Sequence, residues 1–257
     1  MQTIETQALS VNFGGHTVVD EVSCQFDSGA LTAIVGPNGA GKTTYFNLIS
    51  GQLAPSQGKI LLNGQDITSL SVHQRARSGI GRAFQLTNLF PKATVHENVR
   101  IAVQSRARKT LDILGLYRDG RDIYHMTDAV LEQVGLYSIR TQRAQTLSHG
   151  DQRKLEVALV MALDPSVYMF DEPTAGMSAD EAPVIIDLIR KLKDQPGKII
   201  LLVEHKMSVI SHLADRVVVL AEGRIVADGR PDDIMRSQVV QEVYLGKGRY
   251  RLAPEAS

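Results

Sequence analysis

One junction constrains this chain more than any other stretch. The apolar run Leu31-Thr32-Ala33-Ile34-Val35 leads directly into Gly36-Pro37-Asn38-Gly39-Ala40-Gly41-Lys42-Thr43-Thr44. The run reads as a buried strand. Residues 44–50 read as a helix, with Gly51 just past its end. The segment between them fits G-x-x-x-x-G-K-[ST], the phosphate-cradling loop. Its glycines let the backbone curl so that successive N–H groups converge on one anion. Lys42 adds a point charge within reach of β- and γ-phosphates, and the Thr43 hydroxyl is the expected Mg²⁺ ligand. Strand, loop and helix in that order put bound phosphates at a helix N-terminus, where the dipole favours negative charge. A glycine-rich turn with no ligand would not require these flanks, so nucleotide binding is the first inference.

Composition narrows the field. The 257 residues suffice for one large α/β domain or a domain with an inserted subdomain, and 43% hydrophobic residues can build a core. Lys+Arg 28 against Asp+Glu 28 argues against a broad nucleic-acid footprint. Cys24 is the single cysteine, so no internal disulfide can form; it alternates with Val22 and Phe26 and reads as core. MQTIETQALS lacks the basic and apolar regions of a signal peptide. No apolar run reaches the ~18 residues of a membrane span, so any work at a membrane needs spans from other chains.

Residues 4–13 and 17–27 read as strands around Gly14-Gly15. Phe13 precedes that turn; spacing alone favours a core aromatic over a base-stacking platform. Asn63-Gly64 is a hairpin signal between Ile60-Leu61-Leu62 and the segment around Ile67. Residues 71–78 read as a short helix ended by Gly79, and Ile80–Phe84 as a strand with Gln85 at its carboxyl end, where open α/β sheets bind ligands. From Leu86 to about Thr146 the pattern turns helical, an all-helical insertion in an α/β core. It contains a capping-box helix from Thr94 to about Ala107 and a second helix from Asp122 to Val134.

Leu147-Ser148-His149-Gly150-Asp151-Gln152 then opens a helix from Arg153 to Leu163. Ser148 fits an N-cap, and Ser148 with Gly150 equally fits a second anion site. Val167–Phe170 reads as a buried strand ending in Asp171-Glu172. Adjacent carboxylates there need partners. A Mg²⁺ near the phosphate loop would give Asp171 one, and Glu172 could then serve as general base toward a water. Ser178–Glu181 fits a capping box, but Pro183 falls better within a first turn if Asp180 is the N-cap, and that helix is expected to run to about Asp194. The strand Ile199–Val203 ends at Glu204-His205, which places His205 for a phosphate contact. Residues 216–220 and 224–227 form a hairpin through Glu222-Gly223, followed by short helices over 231–237 and 239–245 and a polar tail.

These residues together resemble the ATPase subunits of ATP-binding-cassette transporters, over nearly the whole chain. Gly36–Thr43 looks like the first nucleotide motif, Gln85 like the glutamine loop, and Leu147–Asp151 like the signature. Tyr168–Glu172 looks like the second nucleotide motif with its catalytic glutamate, and His205 like the switch histidine. Phe13 holds the family's adenine-stacking position, which reverses the reading from spacing. The signature reads Leu-Ser-His-Gly-Asp followed by Gln152 where LSGGQ is usual, and Ser178 replaces the aspartate of the usual SALD. These departures, with Tyr244-Leu245-Gly246, are similar to the larger ATPase of branched-chain amino-acid importers and its urea and amide relatives.

The resemblance implies a P-loop NTPase core (1–85 and 147–237) with an antiparallel β subdomain, an inserted all-helical subdomain (86–146) and a C-terminal helix and tail (238–257). It implies ATP and Mg²⁺ as cofactors. Residues 36–44 and Phe13 would hold the nucleotide, Thr43, Gln85 and Asp171 the metal, and Glu172, His205 and Gln85 would act in hydrolysis. Ser148, His149, Gly150, Asp151 and Gln152 would face ATP bound to a second ATPase subunit, non-identical by subgroup, with a homodimer as the alternative for the isolated protein. Two integral-membrane permease subunits, and indirectly a periplasmic solute-binding protein, complete the implied assembly at the cytoplasmic face of a bacterial inner membrane. Nucleic acid is not an implied partner. A soluble cassette ATPase acting on ribosomes or DNA is the competing class, but one cassette and no sustained heptads speak against it. Glu172 and His205 together speak against a nucleotide-binding module without turnover.

Overall fold

Two hydropathy patterns, alternating and continuous, sort the strands into two sheets. In the computed structural model, which describes residues 1–83, 89–111, 120–178 and 180–245, the chain opens with a hairpin. Strands β1 (Thr3–Phe13) and β2 (His16–Asp27) alternate buried and exposed residues along much of their length. Gly14 and Gly15 turn between them at φ +54° and +88°. Strand β3 (Leu31–Val35) is buried at every position, and helix α1 (Lys42–Ser50) leaves the loop that follows it. Gly51 closes α1 in the left-handed region at φ +82°, donating its N–H to Leu48 O. Strands β4 (Gln57–Leu62) and β5 (Gln65–Asp66) return to β1, so the antiparallel sheet runs β2-β1-β4-β5. Asn63 and Gly64 both take positive φ, as the tight hairpin turn requires.

Helix α2 (Val72–Arg77) carries a complete capping box between Ser71 and Gln74. Its buried Arg75 donates to Leu48 O and Ile49 O and so caps the carbonyl end of α1. Strand β6 (Ile80–Ala83) follows. Gln85 and Leu86 lie outside the described residues, as do residues 246–257.

Helices α3 (Val95–Leu111) and α4 (Gly120–Gln133) occupy the stretch read as helical, with single 3₁₀ turns at Tyr137–Ile139 and Ala144–Thr146. The Thr94–Glu97 box starts α3, which extends a turn beyond the expected Ala107. Then come α5 (His149–Leu163), β7 (Val167–Asp171), α6 (Ala182–Lys193), β8 (Ile199–Val203) and α7 (Met207–Leu213). The chain continues through β9 (Arg216–Ala221), β10 (Arg224–Gly229), α8 (Pro231–Arg236) and α9 (Gln238–Leu245). Asp180 is not the N-cap of α6. Glu181 holds that position, and its carboxylate bonds back to the N–H and hydroxyl of Ser178, forming the box one turn before the helix proper. The short helix α7 carries no signal that the sequence reading used.

The second sheet runs β10-β9-β3-β8-β7-β6, parallel throughout except for β10 against β9. Strands β3, β7, β8 and β9 are buried on both faces along nearly all their length, which is why they read as continuous apolar runs. Met169 and Leu201 point toward α1 and the antiparallel sheet, with Phe26 and Phe46. Tyr168, Phe170, Ile200 and Leu202 point the other way, toward α5 and α6. The apolar faces of α3 and α4 join that second cluster through Val95, Val99 and Leu131, packing on Leu155 and Ala158 of α5.

Candidate functional site

The parallel order brings the carboxyl ends of β3, β8 and β7 side by side, and each end carries polar residues. From β3 the loop turns through Gly36, Gly39 and Gly41 at φ +150°, +81° and +96°. Two of these glycines also have no room for a side chain. A Cβ on Gly36 would lie 2.0 Å from Leu220 O, and one on Gly41 2.6 Å from Val18 O. The backbone of β2 therefore wedges against the loop. The β9–β10 turn is tied there too, since Gly223 donates to Ala40 O at 3.2 Å and Asp20 to Gly223 O at 2.9 Å.

Lys42 is buried at the start of α1, and its ammonium donates to Gly36 O and Pro37 O at 2.8 Å each. An ammonium has three protons, so one is left for a ligand oxygen. Burial lowers the lysine pKa, and the carboxylates of Glu172 and Asp171 push it back up. Thr43 is exposed in the first helical turn.

Glu172 follows β7 in the left-handed region at φ +51°, a conformation that costs a non-glycine residue energy. Its N–H donates to Val203 O at 2.9 Å, which pins the turn to β8. Its Oε1 meets His205 Nε2 at 2.5 Å. Val18, Asn38, Gly39, Ala40, Gly41, Lys42, Thr43, Thr44, Glu172 and His205 line one open cleft of about 220 Å³. The structure thus brings most of the sequence-selected residues of the loop to the same space as Glu172 and His205. Phe13, Gly36, Pro37 and Asp171 are not among its lining residues. Phe13 stands at the tip of the β1–β2 hairpin with 48% of its surface exposed, so the core reading from spacing does not hold.

The α5 start lies elsewhere. Ser148 Oγ accepts the Asp151 N–H at 3.1 Å, an N-cap in fact. Asp151 is in turn paired with Lys154 at 2.9 Å. Gly150 is buried, and a Cβ there would come 2.2 Å from Glu181 Oε1. His149 is exposed, its ring beside Gly176, and Gln152 is half-buried.

The sequence reading missed residues that surround the carboxylates. Arg82, only 4% exposed, donates from Nη2 to Asp171 Oδ2 at 2.8 Å. Its Nη1 reaches Asn47 Oδ1 at 2.7 Å, Gln52 Oε1 at 3.0 Å and Ser50 Oγ at 3.1 Å. Glu204 is buried, accepts from the Thr174 hydroxyl and takes the His205 N–H on Oε2 at 3.0 Å. An arginine inside the apolar run Ile80–Phe84 was the available signal for the first, and a glutamate closing an all-apolar strand for the second.

Thr43 and Asp171 are hard oxygen donors of the kind Mg²⁺ takes, and they flank the phosphate loop on α1 and β7. No helix among the described residues is long and apolar enough to cross a membrane.

The chain is similar to known proteins in sequence and in fold. The ABC transporter family pattern matches residues 19–175. The chain is 36% identical to the high-affinity branched-chain amino acid transport ATP-binding protein BraF of Pseudomonas aeruginosa, over 95% of this chain and 98% of that one. It is 35% identical to the corresponding protein LivG of Escherichia coli over the same shares. Among solved structures, the ADP conformation of MJ1267, an ATP-binding cassette of an ABC transporter, superposes with a TM-score of 0.81. That match has 25% identity and covers 96% of this chain and 99% of the other. A cassette that binds and hydrolyses ATP accounts for the loop, the strand-end carboxylates and the sheet order at once, and the chain belongs to the ABC transporter family.

Proposed function

We propose that this chain is the ATP-hydrolysing subunit of an importer for branched-chain amino acids. The observation that carries the hydrolytic part is Glu172 joined to His205 in the same cleft as the phosphate loop. Near-full-length likeness to BraF and LivG supports the solute class.

In this reading the 36–44 backbone and Lys42 hold the β- and γ-phosphates, and the exposed Phe13 ring stacks on the adenine. Thr43 and Asp171, with Gln85, would hold a Mg²⁺ ion, which when bound neutralises phosphate charge. Glu172 takes a proton from the water that attacks the γ-phosphorus. His205 Nε2–H donates to Glu172 Oε1 and keeps the carboxylate turned toward that water, leaving the other oxygen as base. Glu204 holds the His205 backbone from behind.

The site would be completed by the α5 start of a second ATPase subunit, non-identical in the working assembly. Ser148, His149, Gly150, Asp151 and Gln152 would reach the partner-bound nucleotide. Two membrane permease subunits would sit against the 86–146 helical segment, and a periplasmic binding protein would deliver solute to them. The nucleotide-binding core would comprise 1–85 and 147–237, and residues 238–257 a C-terminal helix and tail. In this reading the chain would sit peripherally on the cytoplasmic face of the inner membrane.

The test is uptake in proteoliposomes that contain the permeases, both ATPases and the binding protein. ATP-dependent accumulation of leucine, isoleucine or valine, lost with Glu172→Gln, is expected. Accumulation of urea or amides without leucine would overturn the solute, and ATP-independent uptake would overturn the role.

A further inference from the structure

The strand β6 contributes one charged side chain to the interior, and it does not lie in the phosphate cleft. Arg82 is an interior cation with four described partners, on β7, on α1 and just past the end of α1. One is the Asp171 carboxylate at the end of β7. The other three are neutral side-chain oxygens of Asn47 and Ser50 on α1 and of Gln52 just after it. The guanidinium also lies 5.5 Å over the Phe46 ring of α1.

Stability alone is a weak reason for this arrangement. A buried ion pair must first overcome the desolvation of both charges, and apolar replacements often do as well. What the arginine provides is geometry. Its planar fork presents donors in fixed directions, so one guanidinium sets the position of a carboxylate relative to α1. That helix bears Thr43 in its first turn, and Asp171 is the other oxygen donor proposed for the metal. Asp171 Oδ2 is occupied by Arg82, and among the described residues Oδ1 has no hydrogen-bond partner. The positive charge also offsets one of two adjacent carboxylates, Asp171 and Glu172.

We propose that Arg82 is a positioning residue. It locks the Asp171 carboxylate to α1 so that Oδ1 is presented, already oriented, to the divalent cation that accompanies the nucleotide. The proposal rests on the reading of Asp171 as a metal-holding residue. It makes Arg82 matter for metal dependence and not for the phosphate loop's own grip on nucleotide.

The experiment is a Mg²⁺ titration of trinitrophenyl-ATP binding to the full chain, with a parallel measurement in EDTA and a melting curve for each variant. For Arg82→Met the Mg²⁺ midpoint is expected to rise about tenfold, with affinity in EDTA within about twofold of the parent, since a charged hydrogen bond is lost only on the metal side. Asn47→Ala keeps the charge, removes one anchor and is expected to shift the midpoint by about threefold. It decides the question if Arg82→Met does not fold. An unchanged midpoint in the folded variants overturns the proposal, as does an equal loss of affinity with and without Mg²⁺. Asp171→Asn separates the two ideas: if it leaves the Mg²⁺ response intact, the metal reading of Asp171 falls, and the role of Arg82 falls with it.

Discussion

Two helix starts in this molecule have the chemistry to hold a phosphate, and they are built differently. At α1 the backbone itself is shaped. Gly36, Gly39 and Gly41 adopt positive φ, no side chain caps the helix, and the lysine is drawn in by loop carbonyls. At α5 the first turn is closed by its own residues. Ser148 accepts the Asp151 N–H, Asp151 pairs with Lys154, and Glu181 packs on Gly150. The same helix dipole is at work in both. The first start leaves its backbone donors open to an anion, while the second satisfies one donor with its own cap and has a carboxylate close by. A single chain therefore carries one helix start shaped for a phosphate and one already capped by a side chain.

The sharpest way to break this contrast lies at the prepared site. Glu172→Gln is expected to keep ATP binding and to lower hydrolysis by roughly 10²–10⁴ in the assembled transporter, the size of a lost general base. Near-normal turnover would remove Glu172 from that role. Next, Lys42→Ala should weaken ATP binding by roughly 10–100-fold, because a charged hydrogen bond has no substitute among the loop's Gly, Ala and Thr neighbours. Unchanged affinity in a titration would show that the backbone cradle suffices alone.

The α5 start gives a different signature. Ser148→Ala should destabilise the isolated chain by about 1 kcal/mol, as loss of an N-cap does. It should leave ATP affinity of the isolated chain untouched and lower turnover only when a second subunit is present. Calorimetry with single-chain and assembled ATPase assays tests all three. A drop in the isolated chain's ATP affinity would erase the distinction between the two helix starts. The smallest effect is expected at Phe13. Phe13→Ala should weaken ATP and GTP alike by roughly 2–10-fold, the range of ~0.5–1.5 kcal/mol for aromatic stacking, and Phe13→Tyr should be tolerated. Normal ATP binding by Phe13→Ala would free that exposed ring for another task.

The last stretch before the helical layer divides in a way the sequence did not foretell. Leu89 packs against the cluster formed by α3, α5 and their neighbours, whereas Phe90 is 54% exposed. Two large apolar residues in a connecting loop can either pin it to the core or offer a surface to another chain, and here one packs inward and its neighbour is left on the surface. Phe90→Ser is expected to leave the melting temperature unchanged and to reduce co-purification with the permeases. Leu89→Ser should lower the melting temperature. The reverse pattern would overturn this division of the two residues.

What the sequence determined by itself is local. The phosphate loop, the Asn63-Gly64 and Glu222-Gly223 turns, the Thr94 box and the burial of Cys24 were all legible there. Each depends on residues within about four positions, or on a run that alternates with the strand period. Local signals also went astray where two of them overlapped. Asp180 and the Ser178–Glu181 box compete for one helix start, and only the packed chain selects Glu181. Tertiary structure decided which strand ends meet. His205 reaches Glu172 across 33 residues, Glu204 reaches Thr174 across 30, and Arg82 reaches Asp171 across 89. No periodicity encodes those pairings. They follow from the order β3-β8-β7-β6, set by which apolar faces bury one another, and a charged side chain inside that order must find its partner wherever the packing puts it.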